Sequence, residues 1–272
     1  MTISRQRIHV FPQRVDVYAE PPLHVFVLSH QAPARVITAE LGGVLEGDSF
    51  DTEIIVEPGA HLVLAAQAAT KLFAMPGGEA RHQRRVHVKD NASLMMMPNV
   101  VIPFKDSEYR QTTQCTLGRN SRFITGEQMM AGRTASGEHM AFRAVHSTLT
   151  VAREGELWPL YREHQCFEPA SGRLMRGGYW GRFSAWGSLA AFGWGPFVFA
   201  PEVAADDIVP GPYHAGTPEG LRGGHRIYYG ASEVAGGCVL RLLADDMALI
   251  QDRITAVIHD LLLPNSGREP GR

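Results

Sequence analysis

Four segments of the chain repeat one arrangement of apolar and polar residues. Each segment has two apolar residues at alternate positions, then a turn, then a single apolar residue after the turn. Alternation with a period of two is typical of β-strands that bury one face and expose the other. The four segments occupy residues 52–62, 84–94, 113–123 and 147–157.

Matching positions in the four segments define the repeat. The alternating pairs are Ile54/Val56, Val86/Val88, Cys115/Leu117 and Leu149/Val151. The apolar residues after the turns are Leu62, Leu94, Phe123 and Leu157, which are 32, 29 and 34 residues apart. Each turn contains glycine or asparagine, which tolerate positive φ angles. This repeat predicts stacked β coils with connections of unequal length. A β-sandwich is the alternative, because its turns also recur at short intervals.

One segment near the C-terminus has helical periodicity instead. Its apolar stripe consists of Met247, Ile250, Ile254, Val257, Ile258 and Leu261. Asp245 and Asp246 suit the start of a helix, and Pro264 suits its end. We therefore predict an α-helix over about residues 245–263. Its stripe either packs over the open end of the strand stack or docks a partner.

The predicted fold is mainly β: an irregular solenoid-like stack of short strands with this helix near the C-terminus. The chain has 272 residues, of which 44% are hydrophobic, enough for a substantial core. We expect one domain over residues 1–272. The repeats place its β core at about residues 20–168, and the pattern defines residues 169–240 less well.

Charge and cysteine content narrow the functional classes. The formal net charge is −2, so no overall basic field favours nucleic acid or anionic lipid. Cys115, Cys166 and Cys238 are scattered and odd in number, which predicts reduced thiols in a cytoplasmic protein rather than a disulfide framework. The N-terminal residues have no apolar h-region of a secretion signal.

Residues 183–201 form an uncharged run that has to be considered as a membrane span. The run contains Gly187, Gly193, Gly195 and Pro196, and few leucine or isoleucine residues. Such breaks suit two short buried strands around a turn better than a spanning helix. We therefore expect no membrane association.

Recognisable enzyme motifs are absent from the sequence. It has no GxSxG, HExxH, Walker A or dinucleotide-binding motif. The glycine-rich run at 42–48 lacks the GK[ST] ending of a phosphate loop, so its glycines are predicted in tight turns or bulges. None of the twelve histidines shows a known ligand spacing, so we predict no tightly bound metal.

Four charged residues stand out because they interrupt runs of apolar or small residues. They are Asp48, Lys71, Glu127 and Glu163. A buried charge is costly unless it is paired or solvated. These residues therefore either face solvent on the outer side of a coil or line a wet internal path.

Several motifs resemble the urease accessory protein family UreD, called UreH in some bacteria. The resemblance is carried by "GVLEGDSF", "QAATKLF", "MPNVVIPFKDSEYRQTTQ" and "GEQMMAGRTASGE", which occur in the family's order and spacing. It covers about residues 20–168, with weaker agreement in "GASEVAGGCVLRLLADD" and the closing helix. Residues 170–225 show little that matches.

This resemblance implies a predominantly β, helical-coil fold with a few α-helices, and a function without catalysis. Members of the family act with the accessory proteins UreF and UreG, the latter a GTPase, on apo-urease. The assembly delivers nickel to the carbamylated-lysine site of urease. An internal passage through UreD is the proposed route, so the resemblance implies transient Ni²⁺ and no tightly bound cofactor.

The family's passage positions fall on specific residues of this chain. The acidic residue of its glycine–aspartate turn falls on Asp48, and its Thr-Lys pair falls on Thr70 and Lys71. Its two later acidic positions fall on Glu127 and Glu163. The resemblance implies that these carboxylates border the passage. Lys71 cannot ligate a metal while it is protonated, so we expect it to line the passage or to pair with Asp48 or Glu127.

Two other functions compete with nickel delivery. A structural adaptor would recruit the same partners without handling metal, and the sequence does not indicate which surface would bind them. A β-coil glycan hydrolase would use two of the three carboxylates as acid and base, at about 5–9.5 Å from each other. No aromatic sugar platform is evident beside them, which disfavours the hydrolase.

Overall fold

The computed structural model describes residues 3–176, 179–194 and 227–262. The first strands are β1 (Ile3–Phe11), β2 (Arg14–Ala19), β3 (Leu23–Ser29), β4 (Ala34–Glu40), β5 (Ser49–Val56), β6 (His61–Ala66), β7 (Thr70–Leu72), β8 (Ala80–Val88) and β9 (Ser93–Met96). The later strands are β10 (Asn99–Pro103), β11 (Glu108–Leu117), β12 (Arg122–Met130), β13 (Ala144–Arg153), β14 (Tyr161–Phe167), β15 (Ala185–Phe192), β16 (Ile227–Val234) and β17 (Gly237–Ala244). The described α-helix is α1 (Met247–Leu262), and two short 3₁₀ segments cover Thr134–Ser136 and Pro169–Ser171.

The described strands form two sheets that the chain visits in alternation. Sheet 1 has the order β14-β13-β11-β8-β5-β1-β2. Sheet 2 has the order β16-β17-β15-β12-β9-β6-β4-β3, and β10 pairs with both β12 and β7. Neighbouring strands from successive passages are parallel, as in β5–β8–β11–β13 and β4–β6–β9–β12. The predicted mainly β, solenoid-like fold is confirmed, with about four turns.

The first three sequence repeats stack in register, as predicted. Ile54 pairs with Val86, and Val86 pairs with Cys115. The apolar residues after the turns also pair with one another on sheet 2: Leu62, Leu94 and Phe123. The equivalent apolar residues of these three repeats therefore form rows across the strands and lie at the same depth of the coil.

The fourth repeat departs from the prediction in two ways. Cys115 pairs with Val151 rather than with Leu149, a shift of two residues. Such a shift leaves every side chain on the same face, so alternation alone does not reveal it. Leu157 is 87% exposed. Its predicted equivalence to Leu62, Leu94 and Phe123 is wrong, because β13 and β14 form an antiparallel hairpin within sheet 1 instead of the chain crossing to sheet 2.

Two apolar clusters fill the space between the sheets at opposite ends of the strands. One cluster includes Ile54 and Val86 of sheet 1 and Phe123 of sheet 2. The other includes Tyr109 of sheet 1 and Trp186 of sheet 2. The side chains between these clusters are mainly polar, and they form the candidate site.

The predicted C-terminal helix is confirmed, and its apolar stripe is buried within the chain. Met247, Ile250 and Ile254 are among its buried residues, and they pack on the outer face of sheet 2 at β12, β15 and β17. Gly187 of β15 lies under the helix, where an added Cβ would stand 2.6 Å from Cγ2 of Ile250. The stripe therefore covers the face of sheet 2 rather than the open end of the stack, and it is occupied within the chain.

Two smaller predictions concern the glycine-rich run at 42–48 and the uncharged run at 183–201. Gly42, Gly43 and Gly47 have φ angles of +87°, +83° and +84°, which confirms that they form tight turns. In the uncharged run at 183–201, the first half forms β15, whose residues are all buried. Residues 195–201 of the run lie outside the described residues. Among the described helices, none is long and apolar enough to cross a membrane.

Candidate functional site

A layer of polar side chains crosses the interior between the two apolar clusters. We call it the polar layer. Its residues lie on the inward faces of strands in both sheets, and they are Gln6, Thr52, His82, Arg84, Gln111, Thr113, Thr125, Glu127, Ser147 and Ser188. In-register stacking produces it, because the inward residues two positions before the apolar row Ile54–Val86–Cys115 are Thr52, Arg84 and Thr113.

Hydrogen bonds connect the sheet 1 part of this layer. Nε2 of His82 lies 2.9 Å from Oγ1 of Thr52, and its Nδ1 lies 3.1 Å from Nη2 of Arg84. Arg84 also donates from Nη1 to Oε1 of Gln111 at 3.0 Å. Arginine has no acceptor atom, so Nδ1 of His82 accepts and Nε2 carries the proton. The ring is therefore held in one neutral tautomer.

Burial, followed by the charge of Arg84, holds the pKa of His82 well below its usual value. Protonation would place a second positive charge on the nitrogen that faces the guanidinium. His82 therefore stays neutral at physiological pH and acts as a hydrogen-bonding element of the layer.

Glu127 of β12 connects the two sheets. Its Oε1 accepts hydrogen bonds from Nε2 of Gln111 at 2.6 Å and from Oγ of Ser147 at 2.5 Å. Burial raises the pKa of this carboxyl group, while its bonds to Ser147 and Gln111 and the charge of Arg84 oppose that rise. The charge of Glu163 raises the pKa further. Glu127 is therefore a desolvated carboxyl group held by neutral donors rather than by a direct ion pair.

A cavity of about 100 Å³ lies on one side of Glu127. Its wall includes Glu127, Arg84, Glu40, Thr70 and Asn99. Thr70 donates to Oε2 of Glu40 at 2.7 Å and accepts from Nδ2 of Asn99 at 3.0 Å. About 10–15 Å³ of such volume suffices for one water molecule, so this polar cavity has room for several.

A second cavity of about 20 Å³ lies on the other side of Glu127. Glu127 and Gly126 line both cavities. Glu163 also lines the second one, and its Oε1 accepts from Arg241 Nη2 at 2.6 Å while its Oε2 accepts from Tyr161 at 2.9 Å. The Arg241 side chain is 48% exposed. The polar layer therefore extends from Glu127 through Glu163 to the protein surface.

The structure brings together three of the five predicted residues and separates the other two. Glu127, Glu163 and Thr70 line the cavities. Lys71 lines neither cavity, because in β7 its neighbours on both sides point inward and its own side chain is exposed. The expected pairing of Lys71 with Asp48 or Glu127 is therefore replaced by an outward orientation.

Asp48 also lies away from both cavities. Its Oδ2 accepts from the backbone N–H of Leu45 at 2.7 Å, which closes the turn that contains Gly47. The neighbouring Glu46 is exposed and accepts from the backbone N–H of Gly77 at 3.3 Å. The sequence pattern marked Asp48 as an acidic position, but its local role is to shape the connection into β5.

The sequence model of one protein family, the UreD urease accessory proteins, matches residues 6–270 of the chain. The chain belongs to the UreD family.

Urease accessory protein UreD of Magnetococcus marinus is 33% identical over 149 residues, which cover 55% of this chain and 49% of that protein. UreD of Acetivibrio thermocellus is 32% identical over 157 residues, covering 58% and 59%. UreD of Mycolicibacterium gilvum is 30% identical over 177 residues, covering 64% and 62%. The chain spans about half to three fifths of the length of these relatives.

The polar layer of this UreD chain contains residues that the sequence analysis did not identify as site residues. The clearest are His82, Arg84, Gln111 and Ser147, together with Glu40 at the far side of the larger cavity. The alternation that identified Ile54 and its equivalents carries the signal. Counting back two residues from the first apolar residue of each pair reaches Thr52, Arg84, Thr113 and Ser147, and counting back four reaches His82 and Gln111 in the second and third repeats. Glu40 lies outside the repeats.

Proposed function

We propose that this UreD chain is a non-catalytic urease maturation factor that conducts nickel ions through its polar layer towards apo-urease. Membership of the urease accessory protein family supports a role in maturation. The observation that carries the conduction step is that two polar cavities meet at Glu127. In this proposal the chain works in the cytoplasm, in a complex with UreF and UreG, and Ni²⁺ is its transient cargo.

The polar layer has the ligands for weak, exchangeable binding of a cation. Ni²⁺ binds carboxylate oxygens and imidazole, and a site with three or four such ligands would retain it. Glu40, Glu127 and Glu163 instead follow one another along the two cavities. Each carboxylate supplies an oxygen ligand, and water in the cavities completes the coordination shell.

The environment of Glu127 weakens binding further. Because its pKa is raised by burial, the carboxyl group retains a proton to higher pH than an exposed glutamate. A proton and a metal ion therefore compete for this carboxyl group over a wider pH range than at an exposed glutamate. The guanidinium of Arg84, which interacts electrostatically with Glu127, opposes a stationary cation as well. Both effects favour passage over storage.

One observation favours the structural adaptor as the second candidate. Both oxygens of Glu163 are already occupied, one by Arg241 and the other by Tyr161. A carboxylate that is fully paired can serve the fold alone. For conduction, this ion pair has to exchange with the cation, and the half-exposed Arg241 can swing into solvent to allow it.

The glycan hydrolase receives no support from the geometry. Glu127 and Glu163 line a common cavity, but its volume is about 20 Å³. That volume holds a water molecule and excludes a sugar ring. One oxygen of Glu163 is also held by Arg241, an arrangement unlike the apolar pocket that surrounds the general acid of a glycosidase.

The test is coexpression of the chain with apo-urease, UreF and UreG, followed by pull-down and metal analysis. The variant is Glu127→Gln/Glu163→Gln, which removes both carboxylates from the second cavity but keeps amide groups of the same shape. We expect the nickel content of urease to fall by at least half while the complexes form normally. The matched control is Glu154→Gln/Glu156→Gln, which changes the charge equally at two exposed positions.

The adaptor predicts a different outcome. If the double variant recruits every partner and urease still acquires its full nickel content, then conduction through the polar layer is refuted and the adaptor stands. If the variant fails to bind partners, Glu127→Gln alone is measured, since it leaves the Glu163–Arg241 pair in place. Normal nickel content in that variant also contradicts the proposal.

A further inference from the structure

A second group of potential metal ligands lies on the outer face of sheet 1, separate from the polar layer. His146 of β13 and Cys166 of β14 are directly opposite each other in the antiparallel pairing. Their neighbours Val145 and Ser147 are buried towards the interior, so His146 projects from the other face. Glu168 follows β14 immediately and joins the group.

The three side chains are close enough to share one ion. One ligand atom from each of His146, Cys166 and Glu168 lies within 4.8 Å of the other two. Nε2 of His146 is 3.4 Å from Oε1 of Glu168. Bonds of about 2.0–2.3 Å to a tetrahedral ion place its ligands about 3.4–3.8 Å apart. The longest of these distances therefore has to shorten by about 1 Å for the three atoms to bind one metal ion. Cys166 is exposed and the Glu168 side chain is 47% exposed, so both have room to rotate.

We propose that His146, Cys166 and Glu168 form a binding site for a divalent transition-metal ion of the zinc, cobalt and nickel group. Imidazole nitrogen, thiolate sulfur and carboxylate oxygen are the protein ligands these ions take. Three protein ligands leave one coordination position for water or for a donor from another molecule. The proposal does not depend on conduction through the polar layer.

His146 is prepared to act as a ligand. Burial, followed by the charge of Arg110, lowers its pKa, so the ring is neutral at physiological pH. Its Nδ1 is buried and has no hydrogen-bond partner among the described residues. A proton on Nδ1 leaves the lone pair of Nε2 available on the side of Glu168. The ring of His164 is stacked beside it, at 6.0 Å between centroids.

Cys166 and the charges around it weaken metal binding, so a bound ion can exchange with solution. Burial, followed by its hydrogen bond to Glu168, raises the pKa of the Cys166 thiol. A bound ion has to displace that proton, so affinity increases with pH. The positive charges of Arg110 and Arg173 act on the same thiol and repel a cation, whereas Glu168 and the more distant Glu108 attract it. We therefore expect weaker binding than in a closed structural zinc site.

The ligand spacing explains why the sequence did not predict this site. His146 is twenty residues before Cys166, and no CxxC or HxxxH pattern joins them. The antiparallel hairpin β13–β14 brings them together. The same hairpin is the element that the repeat pattern did not predict.

The experiment is an anaerobic titration of the purified full-length protein with Co²⁺, which reports thiolate ligation through its charge-transfer absorption. Cys115 and Cys238 are buried, so the exposed Cys166 is the thiol within reach of added metal. We expect the charge-transfer band to saturate at one equivalent of Co²⁺ and to disappear on addition of Zn²⁺. Ni²⁺ added alone should raise the Tm of the same protein.

The variants separate a site from unspecific binding. Cys166→Ser should abolish the band, and His146→Gln and Glu168→Gln should each weaken Co²⁺ binding at least tenfold. His61→Gln removes an exposed histidine on sheet 2 and should leave the titration unchanged. Each variant is compared with the wild type by its Tm without metal, so that a folding defect is recognised. A band that persists in Cys166→Ser, or its absence from the wild type, overturns the proposal.

Discussion

Two rows of side chains on the same strands give the interior of this molecule opposite chemistry. The row Ile54–Val86–Cys115 is apolar and belongs to the larger core cluster. Two residues earlier, the row Thr52–Arg84–Thr113 is polar and belongs to the polar layer. Strand, register and facing side are identical in the two rows. Only the side chains differ, so they alone decide whether that level of the coil is an apolar core or a polar interior.

This comparison separates what stabilises the fold from what serves the site. A buried valine, leucine or isoleucine side chain contributes about 1.5–3 kcal/mol to folding. A satisfied intramolecular hydrogen bond contributes only about 0.5–1.5 kcal/mol net, and an unsatisfied partner costs about 1–3 kcal/mol. An all-apolar interior would therefore be at least as stable. Stability alone does not explain the polar layer, whereas the proposed ion passage requires one.

The largest effect is expected in the apolar row. Ile54→Ala should lower the free energy of unfolding by about 2–5 kcal/mol, because it removes buried methyl groups and leaves a cavity. Thr52→Ala, on the same strand and face, should cost about 1 kcal/mol through loss of its bond to His82. Urea denaturation followed by tryptophan fluorescence measures both values. Equal losses would contradict the distinction between the two rows.

A smaller effect is expected for the arginine at the centre of the polar layer. Arg84→Met should cost about 1–3 kcal/mol, since it leaves Nδ1 of His82 and Oε1 of Gln111 without their donor. The control is Arg85→Met. This next residue points outward and pairs with Asp51, so the change should stay within about 0.5 kcal/mol. Parallel denaturation curves of the two variants test the difference, and a larger loss for Arg85→Met would refute it.

Period-two alternation was enough to predict the solenoid-like stack, because in-register parallel strands translate one sequence pattern into one spatial row. The same alternation places the polar layer on the inward face, since Thr52 and Arg84 lie two residues before Ile54 and Val86. Lys71 shows the limit of reading single residues. An exposed lysine in a short strand is the ordinary result of alternation and needs no polar conduit beside it.

Other features depend on contacts between distant parts of the chain. The junction of two cavities at Glu127 arises because Gln111 and Ser147 of sheet 1 meet β12 of sheet 2. The hairpin β13–β14 places Glu163 beside Arg241, which is 78 residues later in the sequence. No local pattern encodes such a meeting. The apolar runs define where strands form, whereas the pairing of polar partners follows from the completed fold.

The smallest effect is expected for Glu127→Gln, and its sign tests the comparison most sharply. Because the pKa of Glu127 is raised in the folded state, the folded chain binds this proton more tightly than the unfolded chain. Its carboxyl group therefore destabilises the fold progressively as pH rises from the unfolded pKa through the raised value. The substituted amide carries no such charge, but its oxygen still accepts from Gln111 and Ser147. The variant should match the wild type at acidic pH and become slightly more stable at pH 8.

Thermal denaturation across this range measures the difference, with the exposed Glu154→Gln as the control that should show no trend. If Glu127→Gln instead loses stability as pH rises, the ionised carboxylate stabilises the fold, and the polar layer no longer contrasts with the apolar row beside it.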